Sequence, residues 1–435
     1  MGDINLPEAV MQSFTSIGPM LDFIALFSVI AVYSGTLLPF VILFSFLLSY
    51  FTLYTVYSLS GLFITNGGYY SYVGHILGKD WGIFIFLIYF GYSVLTVPNI
   101  ANFISGFASN ILSIYNFNNN HFIYILILIF ILLVYITVGS GIKKSIKYTF
   151  IAGILEISFI ILLSIIFILT GRNSIGDYKI NFHLNQFFFG IIFGILAFSG
   201  GGSSIFLSEK TNNARRNTPK SLFISFTISG IIMTISAFSL LYAIGNHGIL
   251  EYSINSFYIV SFIKERYGPI FLMIFSFFGI LSGFNLSVSY LNAFVHMFPR
   301  FQSDFGFNKY MGEKKLLFIM FIITSVISIS TTYIAGPFTS FVIIAGVISF
   351  FYIIIHIISN ISLYKARRKN MIIPMISSIL LTIAFIISFI SNTGFFIVIN
   401  YAVLVYLLIS VISIIYIKRM KNTIYKKIKF EHLKV

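Results

Sequence analysis

Cysteine is missing altogether from these 435 residues. Disulfides and thiolate-held metals are therefore excluded. Charge is scarce as well: Asp, Glu, Lys and Arg make up 9% of the chain, where a soluble domain carries about 25%. Acidic side chains are the scarcest, 12 against 27 Lys and Arg. No long polar linker separates one part of the chain from another. The first ten residues hold no Lys or Arg and no cleavage-like site, so a removable signal peptide is not expected. Nucleophile elbows, paired acids and bases, and metal-ligand clusters are also wanting. An enzyme is not expected, and neither a metal site nor a cofactor is implied.

What the chain has is apolar residues, 58% of the total. They fall into twelve segments, each about the 20 residues that a helix needs to cross a bilayer. The segments cover roughly 9–32, 36–60, 82–109, 121–139, 147–170, 187–207, 220–244, 269–298, 315–334, 338–361, 372–391 and 395–417, and are numbered below as spans 1 to 12. An all-α polytopic membrane protein follows, with one transmembrane domain over residues 1–435 and a basic tail at 418–435. With the N-terminus inside, all but four of the 27 basic residues fall in inner loops or the tail. The exceptions are Arg172, Lys179, Lys264 and Arg266. Positive charge marks the cytoplasmic side, so both termini are expected there, in a cell membrane. The basic excess is thus a topology signal, with loose affinity for anionic lipid, and nucleic acid is not an expected partner.

Two spans carry interruptions. Span 6 contains Leu196-Ala197-Phe198-Ser199-Gly200-Gly201-Gly202-Ser203-Ser204, and each glycine costs a helix about 1 kcal/mol relative to alanine. Span 1 contains Ser16-Ile17-Gly18-Pro19, where proline removes an amide and clashes with the preceding turn. Spans 2 and 7, and 3 and 8, start at nearly the separation of the two breaks. A repeat of five spans inserts its copies in opposite directions, giving repeats at about 9–170 and 187–361, with spans 11 and 12 outside them. Matched broken helices in such repeats point to a transporter's substrate site. The inner half of span 1 is expected to end near Ser16 and the outer half to start at Pro19. The outer half of span 6 is expected to end near Phe198, leaving the carbonyls of Leu196, Ala197, Phe198 and Ser199, and Ser203 to cap the inner half. Free amides on one side and free carbonyls on the other suit the two ends of a zwitterion. The expected binding residues are Thr15, Ser16, Ile17, Gly18 and Met20 in span 1, Leu196 through Ser203 in span 6, and Asn99 in span 3.

The run from Phe198 through Gly202 to Glu209, Asn212, Arg215 and Pro219 resembles the "F-x-G … x-E-x-x-N-x-x-R-x-x-P" pattern of the amino acid–polyamine–organocation (APC) permeases. Gly67-Gly68-Tyr69-Tyr70-Ser71-Tyr72 resembles that family's "GGxYxY" loop, and Ser13 to Pro19 resembles span 1 in one of its branches. The resemblance implies a leucine-transporter-like fold, with substrate between spans 1 and 6 and flanked by spans 3 and 8. It also implies coupled uptake or exchange of amino acids. The chain departs from the family at Gly202, where many members have an acid, at Leu196, where many have a clamping aromatic, and after Asn292.

Two carboxyl groups lie well inside spans, Asp22 and Glu156. An ionised acid at the midplane costs about 2.5–3.5 kcal/mol on insertion scales, so each is a functional candidate. Glu156 is assigned to proton coupling, as the resemblance implies for span 5; the alternative is a bond to a neighbouring helix's backbone. Asp22 is expected to line the outer vestibule, to share in coupling, or to bond span 1 to its neighbour. Glu209 with Arg215 or Arg216 is the expected gate, from family position. The expected activity is alternating-access transport of a neutral amino acid, coupled to protons or sodium or by exchange, in a monomer or homodimer. The alternative is a channel-like or facilitative path for small organic cations or polyamines on the same fold.

Overall fold

A computed structural model describes residues 3–117, 121–171, 184–307, 310–367, 372–391 and 394–430. Of the basic residues used to orient the chain, Arg172, Lys179, Lys309, Arg368, Lys369 and Lys434 lie outside them. The described chain is helical nearly throughout, with an isolated parallel bridge between Ile4 and Thr211.

The helices, in order, are α1 (Leu6–Thr15), α2 (Pro19–Ile24), α3 (Leu26–Ser34), α4 (Leu38–Leu62), α5 (Tyr69–Leu77), α6 (Lys79–Ile114), α7 (Phe122–Gly139), α8 (Ile142–Thr170) and α9 (Leu184–Leu196). A 3₁₀ segment follows at Ser199–Lys210. Then come α10 (Ala214–Ile254), α11 (Tyr258–Asp304), α12 (Glu313–Ala335), α13 (Pro337–Arg367), α14 (Ile372–Ser391), α15 (Ile397–Met420) and α16 (Asn422–Lys427). Ten helices among the described residues are long and apolar enough to cross a membrane. The two stretches that no single long helix covers are 9–32, divided into α1, α2 and α3, and 187–207, divided into α9 and the 3₁₀ segment. These are the two with the glycine and proline interruptions.

Local chemistry accounts for the boundaries. Asn5 Oδ1 accepts the Glu8 amide at 3.0 Å while Glu8 Oε2 accepts the Asn5 amide at 2.8 Å, a reciprocal cap that starts α1. Two long helices bend at glycines with positive φ, α10 at Gly245 (69°) and α11 at Gly268 (87°). Those bends fall where the apolar segments 220–244 and 269–298 stop and start.

Packing separates two kinds of helix. In α7, Ile125, Leu128, Leu132 and Ile136 are exposed at helical spacing, the stripe that a lipid-facing helix presents. By contrast α6 and α13 pack along each other and are buried for most of their length. The pieces α1, α2 and the 3₁₀ segment pack against α8, α10 and α11. The N-terminal residues tie the two interrupted stretches together: Ile4 donates to Lys210 O at 3.0 Å and accepts from the Asn212 amide at 2.9 Å.

Candidate functional site

The break in the first stretch is sharp. Gly18 sits at φ 71°, ψ 54°, in the left-handed region, and a Cβ there would come within 2.6 Å of Leu286. Ser16 ends α1 and Pro19 opens α2. The second break differs from expectation. Ser203 does not cap a new helix; 3₁₀ winding begins at Ser199 and runs through all three glycines. The Gly201 amide donates to Phe198 O at 3.3 Å, so the tighter i to i+3 pattern uses a carbonyl expected to be free. This leaves the Ser203 hydroxyl for another role.

That role is contact with α1. Ser203 Oγ donates to Gln12 O at 3.0 Å and lies 2.6 Å from Ser16 Oγ. Ser16 Oγ donates to Gly200 O at 2.7 Å, and the Ser204 amide to Ser13 Oγ at 3.2 Å. The approach demands glycine: a Cβ on Gly200 would stand 1.7 Å from the Ser16 carbonyl oxygen. A Cβ on Gly202 would meet the Tyr69 hydroxyl at 2.4 Å, while on Gly201 the nearest atom is Phe226 at 3.0 Å.

The amides around Gly18 are not free, contrary to expectation. Ile17 and Gly18 donate back to Phe14 O, at 3.0 and 3.3 Å. Met20 donates to Glu156 Oε1 at 3.1 Å, and Leu21 to Ser282 Oγ at 2.9 Å. Glu156 is fully buried. Its Oε1 also accepts from Ser282 Oγ at 2.6 Å and its Oε2 from Asn285 Nδ2 at 3.3 Å. The carboxyl group thus reaches the start of α2 and binds its backbone. An opened helix end must find acceptors within the protein, and here α8 and α11 supply them.

A cavity of about 60 Å³ lies beside the breaks. Ser16, Ile17, Asp22, Asn99, Leu196 and Ser199 line it, and Tyr92, Thr96 and Tyr290 complete its polar wall. Asp22 Oδ2 and Asn99 Oδ1 are buried without a hydrogen-bond partner among the described residues. Tyr92 OH donates to Ser199 Oγ at 3.1 Å and lies 2.5 Å from Tyr290 OH. This cluster divides the first cavity from a smaller one, about 20 Å³, which Gly200, Gly202, Ser203, Tyr69 and His356 line. Gly201 and Phe198 border a third small space near His356.

Four expected binding residues do not line these spaces. Thr15 Oγ1 is held by Met11 O and Ser289 Oγ, each at 2.7 Å. Gly18 faces Leu286. Met20 is buried and contributes its amide to Glu156, and Ala197 is buried in the core.

The expected gate pair is corrected. Arg215 and Arg216 lie in the first turn of α10, just after Asn213 at φ 46°, and are exposed. Glu209 Oε1 instead accepts from the Asn66 amide at 3.1 Å, the Glu209 amide donates to Asn66 Oδ1 at 3.0 Å, and the carboxylate lies 3.5 Å from Arg300. Arg300 also pairs with Asp304 at 2.9 Å, and Asp304 accepts from Tyr70 and Ser71.

Sequence reasoning missed Gln12, Ser282, Asn285, Tyr290 and Arg300. One signal existed for α11: Ser282, Asn285, Ser289, Asn292 and His296 recur at three and four residues. That spacing puts a polar stripe on one helix face. Among the described residues, no three His, Asp or Glu side chains gather as a metal-ligand set.

The model of the amino acid permease family matches residues 8–298. The fold is similar to crystal structures of a manganese transporter from Eremococcus coleocola. One single-residue variant of that protein gives a TM-score of 0.61 at 12% identity, covering 98% of this chain and 95% of the other. A second variant, and a complex with an aromatic bis-isothiourea substituted compound, give 0.61 at 13% identity with the same coverage. No curated protein matches the chain.

Proposed function

The chain belongs to the amino acid permease family, and on that premise we propose that it is a secondary transporter that moves amino acids across the cell membrane by alternating access. The observation that carries this reading is the meeting of the two breaks, Ser16 against Gly200 and Ser203, beside a cavity with unpartnered polar groups. In this reading the chain crosses the bilayer twelve times as two inverted sets of five helices plus α14 and α15, as one domain with both termini cytoplasmic. Expected site residues that line the cavities contact substrate. Glu156 carries the coupled proton, since its carboxyl group joins α8 and α11 to the start of α2 and its protonation would alter that joint. Glu209 with Arg300 holds one end shut.

A facilitative path for small organic cations is the second reading, favoured by one observation: Asp22 lines the cavity without a partner among the described residues. Uptake into proteoliposomes separates the two. Saturable, counter-flow-stimulated uptake driven by a pH gradient supports the transporter. Non-saturating flux, down a gradient alone, would overturn it in favour of the path.

A further inference from the structure

A groove of about 350 Å³ lies away from the two breaks, where α4 and α10 run side by side. The two helices are antiparallel: Phe46 packs on Gly230, the Tyr50 hydroxyl lies 2.6 Å from Thr227 Oγ1, and a Cβ on Gly61 would stand 4.0 Å from Pro219. Tyr50, Leu53, Tyr54, Tyr57, Lys220 and Phe223 line the groove. It is open to the outside, since Lys220 is exposed and Tyr57 and Phe223 are 43% and 50% exposed. Its charge is of one sign. Arg216, one helical turn before Lys220, is exposed as well, neither has an ion-pair partner among the described residues, and no lining residue is acidic. Tyr50 spends its hydroxyl on Thr227, while those of Tyr54 and Tyr57 have no partner among the described residues. Lys220 and Tyr57 each lie within two turns of a helix end, the depth at which such residues meet lipid headgroups. Beyond the groove the same two faces turn apolar. Leu47 and Phe44 on α4, and Ile231 and Ile235 on α10, follow the lining residues at helical spacing and are exposed.

We propose that this groove binds an anionic phospholipid of the surrounding bilayer, with the phosphate held by Lys220 and the Tyr54 and Tyr57 hydroxyls and an acyl chain laid along Leu53 and Phe223. A lysine ammonium brings three N–H donors and a charge, and its hydrogen bonds to phosphate oxygens are the strong kind. Basic residues at this depth draw anionic lipid, whereas a zwitterionic headgroup brings an ammonium of its own that Lys220 and Arg216 repel. The apolar continuation on α4 and α10 selects a lipid over a soluble phosphate, because it offers a chain a surface that a small anion cannot use. Ring contacts join the groove to the second break. Tyr50 lies 5.2 Å from Phe226, and Phe226 lies 5.4 Å from Phe198, which leads into the 3₁₀ segment. A lipid seated here braces α4 against α10 beside that contact, and so stabilises the folded chain by mass action. The site requires the membrane reading alone and stands whatever the cargo is.

The test uses the purified full chain in detergent, with phosphatidylglycerol, phosphatidylcholine and water-soluble glycerol phosphate as probes. Retained lipid is counted by native mass spectrometry and stability is read as melting temperature. Phosphatidylglycerol should be retained in preference to phosphatidylcholine and should raise the melting temperature, and glycerol phosphate should do neither. A photoactivatable phosphatidylglycerol should cross-link to peptides of α4 or α10. Lys220→Gln should lower phosphatidylglycerol retention about fivefold, the effect of one basic residue on anionic-lipid binding. Lys315→Gln makes the same change of net charge at the exposed start of α12, which packs on α6, α7 and α13, and should leave retention within about twofold because distant charges are screened. Tyr54→Phe with Tyr57→Phe should weaken retention in the same direction as Lys220→Gln, and serves if that variant fails to fold. Equal loss in the Lys220 and Lys315 variants, or cross-links confined to other helices, overturns the site. Equal retention of phosphatidylcholine overturns the anionic headgroup, and equal stabilisation by glycerol phosphate overturns the lipid. These readouts involve no substrate, so their failure leaves the transport reading standing, and failure of uptake leaves the lipid site standing.

Discussion

Ser16 and Gly200 meet side chain to backbone, the serine hydroxyl donating to the glycine carbonyl at 2.7 Å. Each belongs to a stretch that fails to continue as one long helix, and 184 positions separate them in sequence. A backbone approach this close tolerates no side chain on the glycine. It gives the two breaks a shared geometry rather than two separate irregularities.

Gly200 and Gly201 should therefore differ in how they take alanine. Gly200→Ala places a Cβ 1.7 Å from the Ser16 carbonyl oxygen, and backbone must move. Overpacking of that kind costs typically about 1–3 kcal/mol. Gly201→Ala meets side chains instead of backbone, the Phe226 ring at 3.0 Å and Ile17 Cδ1 at 3.5 Å. Uptake should be lost in the first variant and kept within a few-fold in the second, with the melting temperature lowered mainly in the first. Equal behaviour of the two would contradict the packing described.

Glu156 links α8, α11 and the start of α2. Glu156→Gln keeps an oxygen for the Met20 amide but no longer gains or loses a proton. Uptake driven by an imposed pH gradient should fall to background, while exchange of labelled for unlabelled substrate continues. Undiminished pH-driven uptake in the variant would remove the proton role.

Arg300 bridges Glu209 and Asp304 where the 3₁₀ segment ends. The absence of cysteine from the chain makes accessibility simple to follow. In a Ser203→Cys background, Arg300→Gln should speed labelling by a water-soluble thiol reagent several-fold. Arg215→Gln and Arg216→Gln should not, since both side chains are exposed. The reverse ranking would restore the pairing expected from sequence.

The tail offers a stability test. Phe430 is buried, and a Cβ on Gly74 or Gly82 would lie within 2.7 Å of its ring. Lys429 donates to Asp304 O at 2.8 Å, and Lys418 pairs with Asp80 at 2.7 Å. Phe430→Ala removes a buried ring, a change that costs about 3–5 kcal/mol in a well-packed core. It should lower the melting temperature and make the segment after Met420 susceptible to protease. An unchanged digestion pattern would mean the tail is not held there.

Much of this arrangement is legible in the amino-acid sequence because lipid imposes simple rules. Segment 220–244 stops beside Gly245 and 269–298 starts beside Gly268, where the helices bend, because apolar runs and positive-φ glycines are local signals. The interruptions at Gly18 and at Gly200 to Gly202 are local in the same way. What escaped depends on partners distant along the chain. The Met20 amide finds Glu156, 136 positions away, and Glu209 finds Arg300, 91 away. The stretch from Ser199 winds as 3₁₀ helix instead of opening, with Ser16 bonding Gly200 and Ser13 bonding the Ser204 amide, and no local pattern announces that. The docking of Phe430 on Gly74 and Gly82 is likewise a matter of tertiary shape.

The most direct test joins the two breaks covalently. Ser16 Oγ and Ser203 Oγ lie 2.6 Å apart, so thiols in their places are within reach of a disulfide bond. In the doubly substituted chain, Ser16→Cys with Ser203→Cys, mild oxidation should form an intramolecular disulfide, abolish substrate uptake, and be reversed with recovery of uptake by reductant. Substrate present during oxidation should slow the reaction. Failure of the disulfide to form in folded protein, or full uptake by the oxidised chain, would contradict a substrate seat made where the two interrupted stretches meet.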